Sequence, residues 1–466
     1  MTNENRKPDA HANRPAIDGH AAMEKDSRYE RWRWTVFGIT WLAYAGFYLT
    51  RKSWSVAKVG ILDDPNMVIG KAEMGLVDGA FGIAYALGQF IMGICGDRFG
   101  PRIVVLTGMF FSVVTAVAMG ASSSLIAFGA IFFIQGLCQA SGWAPLTKNV
   151  SYWFSRKERG RIYGFWATNY AVGGMVAGAF AGAMAVVFSS WRFAFFMPAA
   201  VLAVVWVLFL LLQKNRPEDI GLPSIEDYHG EAVDVLDSEE KPDVEPDGSW
   251  TVIGEVFRNP MILLLGAVYF LLKPTRYAIL FWGPVMISER LGTNIGESAI
   301  ISAVFELAGP LGVIFAGYAS DKWFGTRRLP AAIIGLFCLS VILVMFESLT
   351  ATGGKGVMVC LLFAIGFFLF GPDALISSVS AVDFGTKKGA GSSAGLINGM
   401  GSTGQILGLS LPGIISVRYG WGVLFYCLGA FVLLAALLLL PKWNAMPGVV
   451  STGNQSSKPT GQSSEK

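Results

Sequence analysis

Long apolar runs separated by short polar turns occupy the chain from about residue 34 to residue 441. Runs long enough to cross about 30 Å of hydrocarbon fall near 34–57, 74–96, 103–121, 124–146, 162–187, 192–213, 261–287, 297–318, 329–347, 356–379, 391–416 and 422–441. Periodicity inside them is blurred, because lipid-facing and core-facing residues are both apolar, so length and flanks decide helix over strand. A β-barrel would show short alternating segments instead. Gly371-Pro372 and Leu411-Pro412-Gly413 fall inside runs, where a membrane helix tolerates a kink. The pattern predicts an all-α polytopic membrane protein with twelve transmembrane helices in two six-helix halves.

The polar stretches divide the chain. Residues 1–33 form a polar N-terminal tail without the apolar core and small-residue cleavage site of a signal peptide. The halves are expected at 34–213 and 259–441. Between them 214–258 is polar and acidic, with Asp234, Asp237, Glu239, Glu240, Asp243, Glu245 and Asp247, and is expected to be a mobile linker. Residues 442–466, rich in Ser, Gly, Gln and Lys, are expected to be a disordered tail.

Loops after even-numbered spans hold Arg98 and Arg102; Arg156, Lys157, Arg159 and Arg161; Lys322, Arg327 and Arg328; Lys387 and Lys388. Apart from Arg51 and Lys52, the opposite loops hold little, namely Lys71, Arg192, Arg290, Lys355 and Arg418. The bias places both termini and the linker in the cytoplasm.

Composition narrows the class. With 53% hydrophobic and 15% charged residues over 466 positions, a soluble globule is excluded. The 56 glycines have no period and fit close approach of spanning helices. A net charge of +3 with dispersed basic residues does not imply nucleic acid. Cys95, Cys138, Cys338, Cys360 and Cys427 lie in apolar runs without ligand spacing, and His11, His20 and His229 lie in polar segments, so neither a metal nor an intramembrane histidine relay is expected. No Gly-x-x-x-x-Gly-Lys-Ser/Thr loop marks a nucleotide cofactor, and no enzymatic chemistry is implied.

Candidate chemistry begins in the first run, where Tyr44, Tyr48 and Arg51 share one helix face at i, i+4 and i+7, with Lys52 beside them. A cation in a span is costly and usually faces a cavity, although an outer-end pair could instead snorkel to the headgroups. A second cluster, Lys273-Pro274-Thr275-Arg276-Tyr277, opens the same question in the second half. Arg51 precedes Asp97 by 97 − 51 = 46 residues and Arg276 precedes Asp321 by 321 − 276 = 45, so the two arginines hold equivalent places in two repeats.

Gly93-x-x-x-Asp97-Arg98-x-Gly100-x-Arg102, echoed by Gly317-x-x-x-Asp321-Lys322, resembles the signature loop of the major facilitator superfamily, where a carboxylate pairs with basic groups or caps a helix at a gate. Tyr48-Leu49-Thr50-Arg51-Lys52, Arg276 to Pro284, Gly142-Trp143-Ala144-Pro145, Trp153 to Gly160, Asn215 to Pro223, Phe370-Gly371-Pro372 and Lys387 to Gly391 narrow the resemblance to the organophosphate:phosphate antiporter family, over about 28–441. The resemblance implies the major facilitator fold, phosphate binding by Arg51 and Arg276, and a pocket place for Tyr85. It departs in three places: Gln89 stands for a family lysine, Tyr170 (after Asn169) for a family histidine, and Phe281 for a carboxylate. Lys273, three residues before Arg276 on the same helix face, is a candidate replacement cation, with an outer-end anchor as the other reading. Glu306 matches a family glutamate and is the candidate for a salt bridge exchanged during closure. Asp78 lies about one turn from the expected outer end of its span, where a merely interfacial reading is one alternative, and its role, like that of Asp373, is open.

The functional expectation is a transporter in the bacterial inner membrane, functional as a monomer, exchanging an organic phosphate ester for inorganic phosphate. The alternative is a sensor of hexose phosphate that signals to a two-component kinase. A proton-linked exporter of neutral or cationic compounds would need a membrane carboxylate as its main site, and the cation-rich inventory weighs against it.

Overall fold

The computed structural model describes residues 26–229 apart from 156, 157, 159–161 and 164, residues 257–379 apart from 326, and residues 390–445. Outside these lie most of both expected tails, the acidic stretch 230–256, Arg156, Lys157, Arg159, Arg161, Lys387 and Lys388; the Asp97 side chain is likewise not described.

The first half holds α1 (Ser27–Asp63), α2 (Lys71–Phe99), α3 (Pro101–Ala121), α4 (Leu125–Gln139), α5 (Trp143–Trp153), α6 (Thr168–Val187) and α7 (Phe193–Leu212). The second holds α8 (Pro260–Leu291), α9 (Ile295–Lys322), α10 (Arg328–Ala374) and α11 (Ala390–Leu439). Among the described residues, eight helical segments are long and apolar enough to cross a membrane. Two of them, built on α10 and α11, each contain two spans that run together across a bend at Gly354 (φ 63°) or Gly420 (φ 80°), a backbone conformation that favours glycine. With α1, whose apolarity is diluted by its cations and aromatic residues, and α2, the spans number twelve. The fourth is interrupted at 140–142, where α4 gives way to α5.

α1 begins at Ser27 instead of near residue 34 because Asp26 caps it, accepting from the Arg28 N–H at 2.8 Å. In its first turns Tyr29 and Arg33 are buried, in part against a segment expected to be mobile. Tyr29 stacks on Tyr228 with ring centroids 3.9 Å apart, Arg33 Nε donates to the Trp153 carbonyl at 3.1 Å, and Arg28 donates to the Ile220 carbonyl at 3.3 Å. Asn149 Nδ2 donates to the Lys214 and Asn215 carbonyls at 2.9 and 2.8 Å. Residues 214–229 of the expected linker are packed on the first half, where side-chain donors satisfy part of their backbone.

Within the halves, α2 packs on α4, α1 on α6 and α7, α9 on α10, and α8 on α11. The last pair approaches closely because glycine leaves room: a Cβ on Gly404 would lie 2.1 Å from the Phe270 carbonyl oxygen, and one on Gly408 2.2 Å from that of Pro274. Between the halves α1 meets α8, α2 meets α11, and α6 meets α9.

Candidate functional site

Arg51, 2% exposed, lies on α1 with its guanidinium 4.6 Å from the Tyr48 ring centroid and 4.9 Å from that of Tyr85. Gln139 fixes its orientation. The glutamine Nε2 donates to the Phe47 carbonyl at 3.2 Å and to Thr50 Oγ1 at 2.9 Å, which leaves Oε1 to accept from Arg51 Nε at 3.1 Å. Arg51 Nη2 is buried without a hydrogen-bond partner among the described residues. Tyr44 packs edge-on against Tyr48 at 5.8 Å, so the expected stack on one face of α1 is formed. Gln139 and Gln135, whose Nε2 donates to the Thr50 carbonyl at 3.1 Å, were missed from sequence, although two glutamines one turn apart in an apolar run were a usable signal.

Arg276, 9% exposed on α8, donates from Nη1 to Asp373 Oδ2 at 3.1 Å, and its guanidinium lies 5.4 and 4.7 Å from the Tyr170 and Phe370 ring centroids. Its Nε has no hydrogen-bond partner among the described residues. Lys273 is buried on the same helix with its ammonium 4.6 and 5.5 Å from the Tyr269 and Tyr277 rings. Gln89 is half-buried one turn beyond Tyr85. Asn169 is fully buried, with both amide atoms unpartnered among the described residues, one turn before Gly173, whose lack of a side chain lets α6 rest on Ala45.

Other buried cations join the halves. Lys52 donates to the Leu280 carbonyl at 2.9 Å and pairs with Glu306 at 3.3 Å. A Cβ on Gly174 would lie 1.9 Å from Glu306 Oε1, so glycine is what admits the carboxylate. Ser55 donates to the Leu280 and Phe281 carbonyls at 3.1 and 2.9 Å. Leu280 offers its oxygen because Pro284, four residues on, has no N–H to occupy it. Lys58 forms an ion pair with Asp78, both fully buried, while its ammonium lies 3.8 Å from the Trp282 ring centroid and 3.3 Å from the Phe281 carbonyl oxygen. Asp78 is therefore more than a solvated carboxylate at a helix end: it is fully buried and paired with Lys58, which sequence reasoning overlooked as the end of a span. Beyond it, Lys71 reaches Glu289 at 2.9 Å.

The described signature-loop side chains make contacts within their own half. Asp321 pairs with Arg328 in its own half, and the Lys322 ammonium lies 5.2 Å from the Tyr318 ring. Arg102 donates to the Leu210 carbonyl at 2.6 Å, and its N–H to Asn215 Oδ1 at 2.9 Å, holding α3 to the end of α7. Exposed Arg98 lies against Phe99 at 5.5 Å.

Comparison with known proteins supplies the family, since the sequence profile described as Major Facilitator Superfamily matches residues 36–398. The chain belongs to the Major Facilitator Superfamily. Within this superfamily, the glycerol-3-phosphate transporter of Bacillus subtilis (strain 168) is 31% identical over 437 residues, covering 92% of this chain and 96% of that protein. The membrane sensor protein UhpC of Escherichia coli (strain K12) is 32% identical over 425 residues, covering 91% and 94%. These relatives bear out the resemblance to glycerol-3-phosphate transporters and to a related membrane sensor within the superfamily. A bacterial homologue of the human lysosomal transporter Spinster, in an inward-facing and unoccupied conformation, matches with a TM-score of 0.68 at 16% identity, over 88% of this chain and 95% of that one, which supports the superfamily fold. The protein is an integral membrane protein.

Proposed function

We propose that this protein exchanges a phosphorylated organic metabolite for inorganic phosphate by alternating access. One observation carries the reading: two buried guanidinium groups, one from each half, are walled by tyrosines and each keeps an N–H without a partner among the described residues. A phosphate dianion suits two planar forks that give charge-assisted hydrogen bonds. Lys273 adds a third cation, in the place of the charge that Gln89 does not supply. Bound anion draws the arginine-bearing halves together, whereas without it they repel, so return of the site is coupled to a second anion. The substrate in the name of the Bacillus subtilis relative, glycerol-3-phosphate, supports the same class.

With both termini cytoplasmic, the contacts made by Lys52, Ser55, Lys58 and Lys71 lie toward the outer side, and this conformation is closed there. Opening outward then requires the Lys52–Glu306 pair to part, the role expected of Glu306. A cysteine introduced at Asn66, exposed between α1 and α2, is expected to react with an impermeant thiol reagent on intact cells. Labelling only after the cells are opened would reverse the orientation.

The deciding experiment is uptake of labelled phosphate into phosphate-loaded proteoliposomes, inhibited by phosphate esters. Uptake that requires internal phosphate is the expected result; no uptake would exclude exchange. The likeness to UhpC supports the second reading, a sensor with the same anion site, for which ester binding without flux is the signature. Function as a monomer in the inner membrane is part of the proposal.

A further inference from the structure

We propose that Asp373 makes the site selective for phosphate esters that carry an ammonium group, the class of amino-sugar phosphates and aminoalkyl phosphates. The inference rests on the reading of Arg276 as a phosphate ligand and extends it to the organic part of the substrate.

Asp373 follows Gly371-Pro372 on α10, just before the π-helical turn Leu375–Val379, and is 6% exposed. Oδ2 takes the Arg276 Nη1 donor at 3.1 Å, while Oδ1 is buried without a hydrogen-bond partner among the described residues. Lys273, one turn away from Arg276, sits over the rings of Tyr269 and Tyr277, and no ion pair joins it to Asp373 among the described residues.

A phosphate bound at the free Nε of Arg276 shares the guanidinium with Asp373. The carboxylate is then a buried anion beside a second anion, an arrangement penalised by both desolvation and like-charge repulsion, and its Oδ1 has no donor among the described residues. A hydroxyl on the ester supplies one hydrogen bond and no charge. An ammonium supplies both, as a charge-assisted bond to Oδ1. The walls suit it as well, because Tyr170 and Phe370, 5.4 and 4.7 Å from the Arg276 guanidinium, attract a second cation by the same ring-face electrostatics. Inorganic phosphate meets the demand in another way, since its protonated oxygen can donate to Asp373.

The test uses matched inhibitors of labelled phosphate uptake by the full chain in phosphate-loaded proteoliposomes: glucosamine 6-phosphate against glucose 6-phosphate, and 2-aminoethyl phosphate against ethyl phosphate. In at least one pair the ammonium member should half-inhibit at a concentration lower by about tenfold or more, the scale of one added hydrogen bond to a charged group. Asp373→Asn should bring that ratio to about one, and Asp373→Glu should keep the preference. Equal inhibition within both pairs by the wild-type protein, or an Asp373→Asn variant with the wild-type ratio, overturns the proposal while phosphate exchange stands. The wild-type ratio decides even where the variant fails to insert. Absence of any phosphate uptake by the wild type removes the exchange reading, and this proposal with it.

Discussion

Replacing Arg51 or Arg276 by lysine is expected to cut phosphate exchange by on the order of a hundredfold, the cost of losing one or two hydrogen bonds to a charged group. In each arginine one arm is already committed, Arg51 Nε to Gln139 and Arg276 Nη1 to Asp373, and another is left for a ligand. A lysine places one ammonium where the fork had several fixed directions, so it cannot keep the positioning contact and bind an anion bidentately. The charge is unchanged, which separates geometry from electrostatics. Exchange rates normalised to inserted protein, with gel filtration in detergent as the control for folding, provide the measurement. Near-normal exchange by the double lysine variant would remove the two-arginine site.

Asp78→Leu is expected to destabilise the protein by about 3–5 kcal/mol, because it strands the fully buried Lys58 ammonium without its carboxylate. Lys58→Met in the same chain should recover most of the loss, since replacing both members of a buried pair by apolar residues is often close to neutral. The contrast between single and double variants is the informative quantity, read as the fraction remaining monodisperse after heating in detergent. An Asp78→Leu protein as heat-resistant as the wild type would mean that the pair contributes nothing to the join.

The twelve spans were legible because a membrane helix announces itself by length, and the two arginines because a repeat put them in register. The buried pair was not. Lys58 stands where a hydropathy reading ends the first span, and a cation at a helix end looks like an anchor to headgroups. Its partner is on the next helix, a relation with no period in the sequence. Residues 214–229 escaped for a similar reason: Tyr228 gains meaning only when Tyr29 is stacked upon it. Asp373 was visible as a carboxylate in a span, but its role depended on which helix α10 faces, and only the fold supplies Arg276.

The oxygens that receive Lys52, Ser55 and Lys58 on α8 belong to the main chain. Every amino acid supplies the same carbonyl, so residues 280 and 281 can change their side chains without erasing the acceptors that hold the halves together. This gives a physical account of Phe281, which occupies a place where the family resemblance implies a carboxylate: a charged partner can be lost there and the cations of α1 still find oxygen. Evolutionary freedom at 281 is thereby bought with constraint at 284, since any residue but proline there would bring an N–H to compete for the Leu280 oxygen.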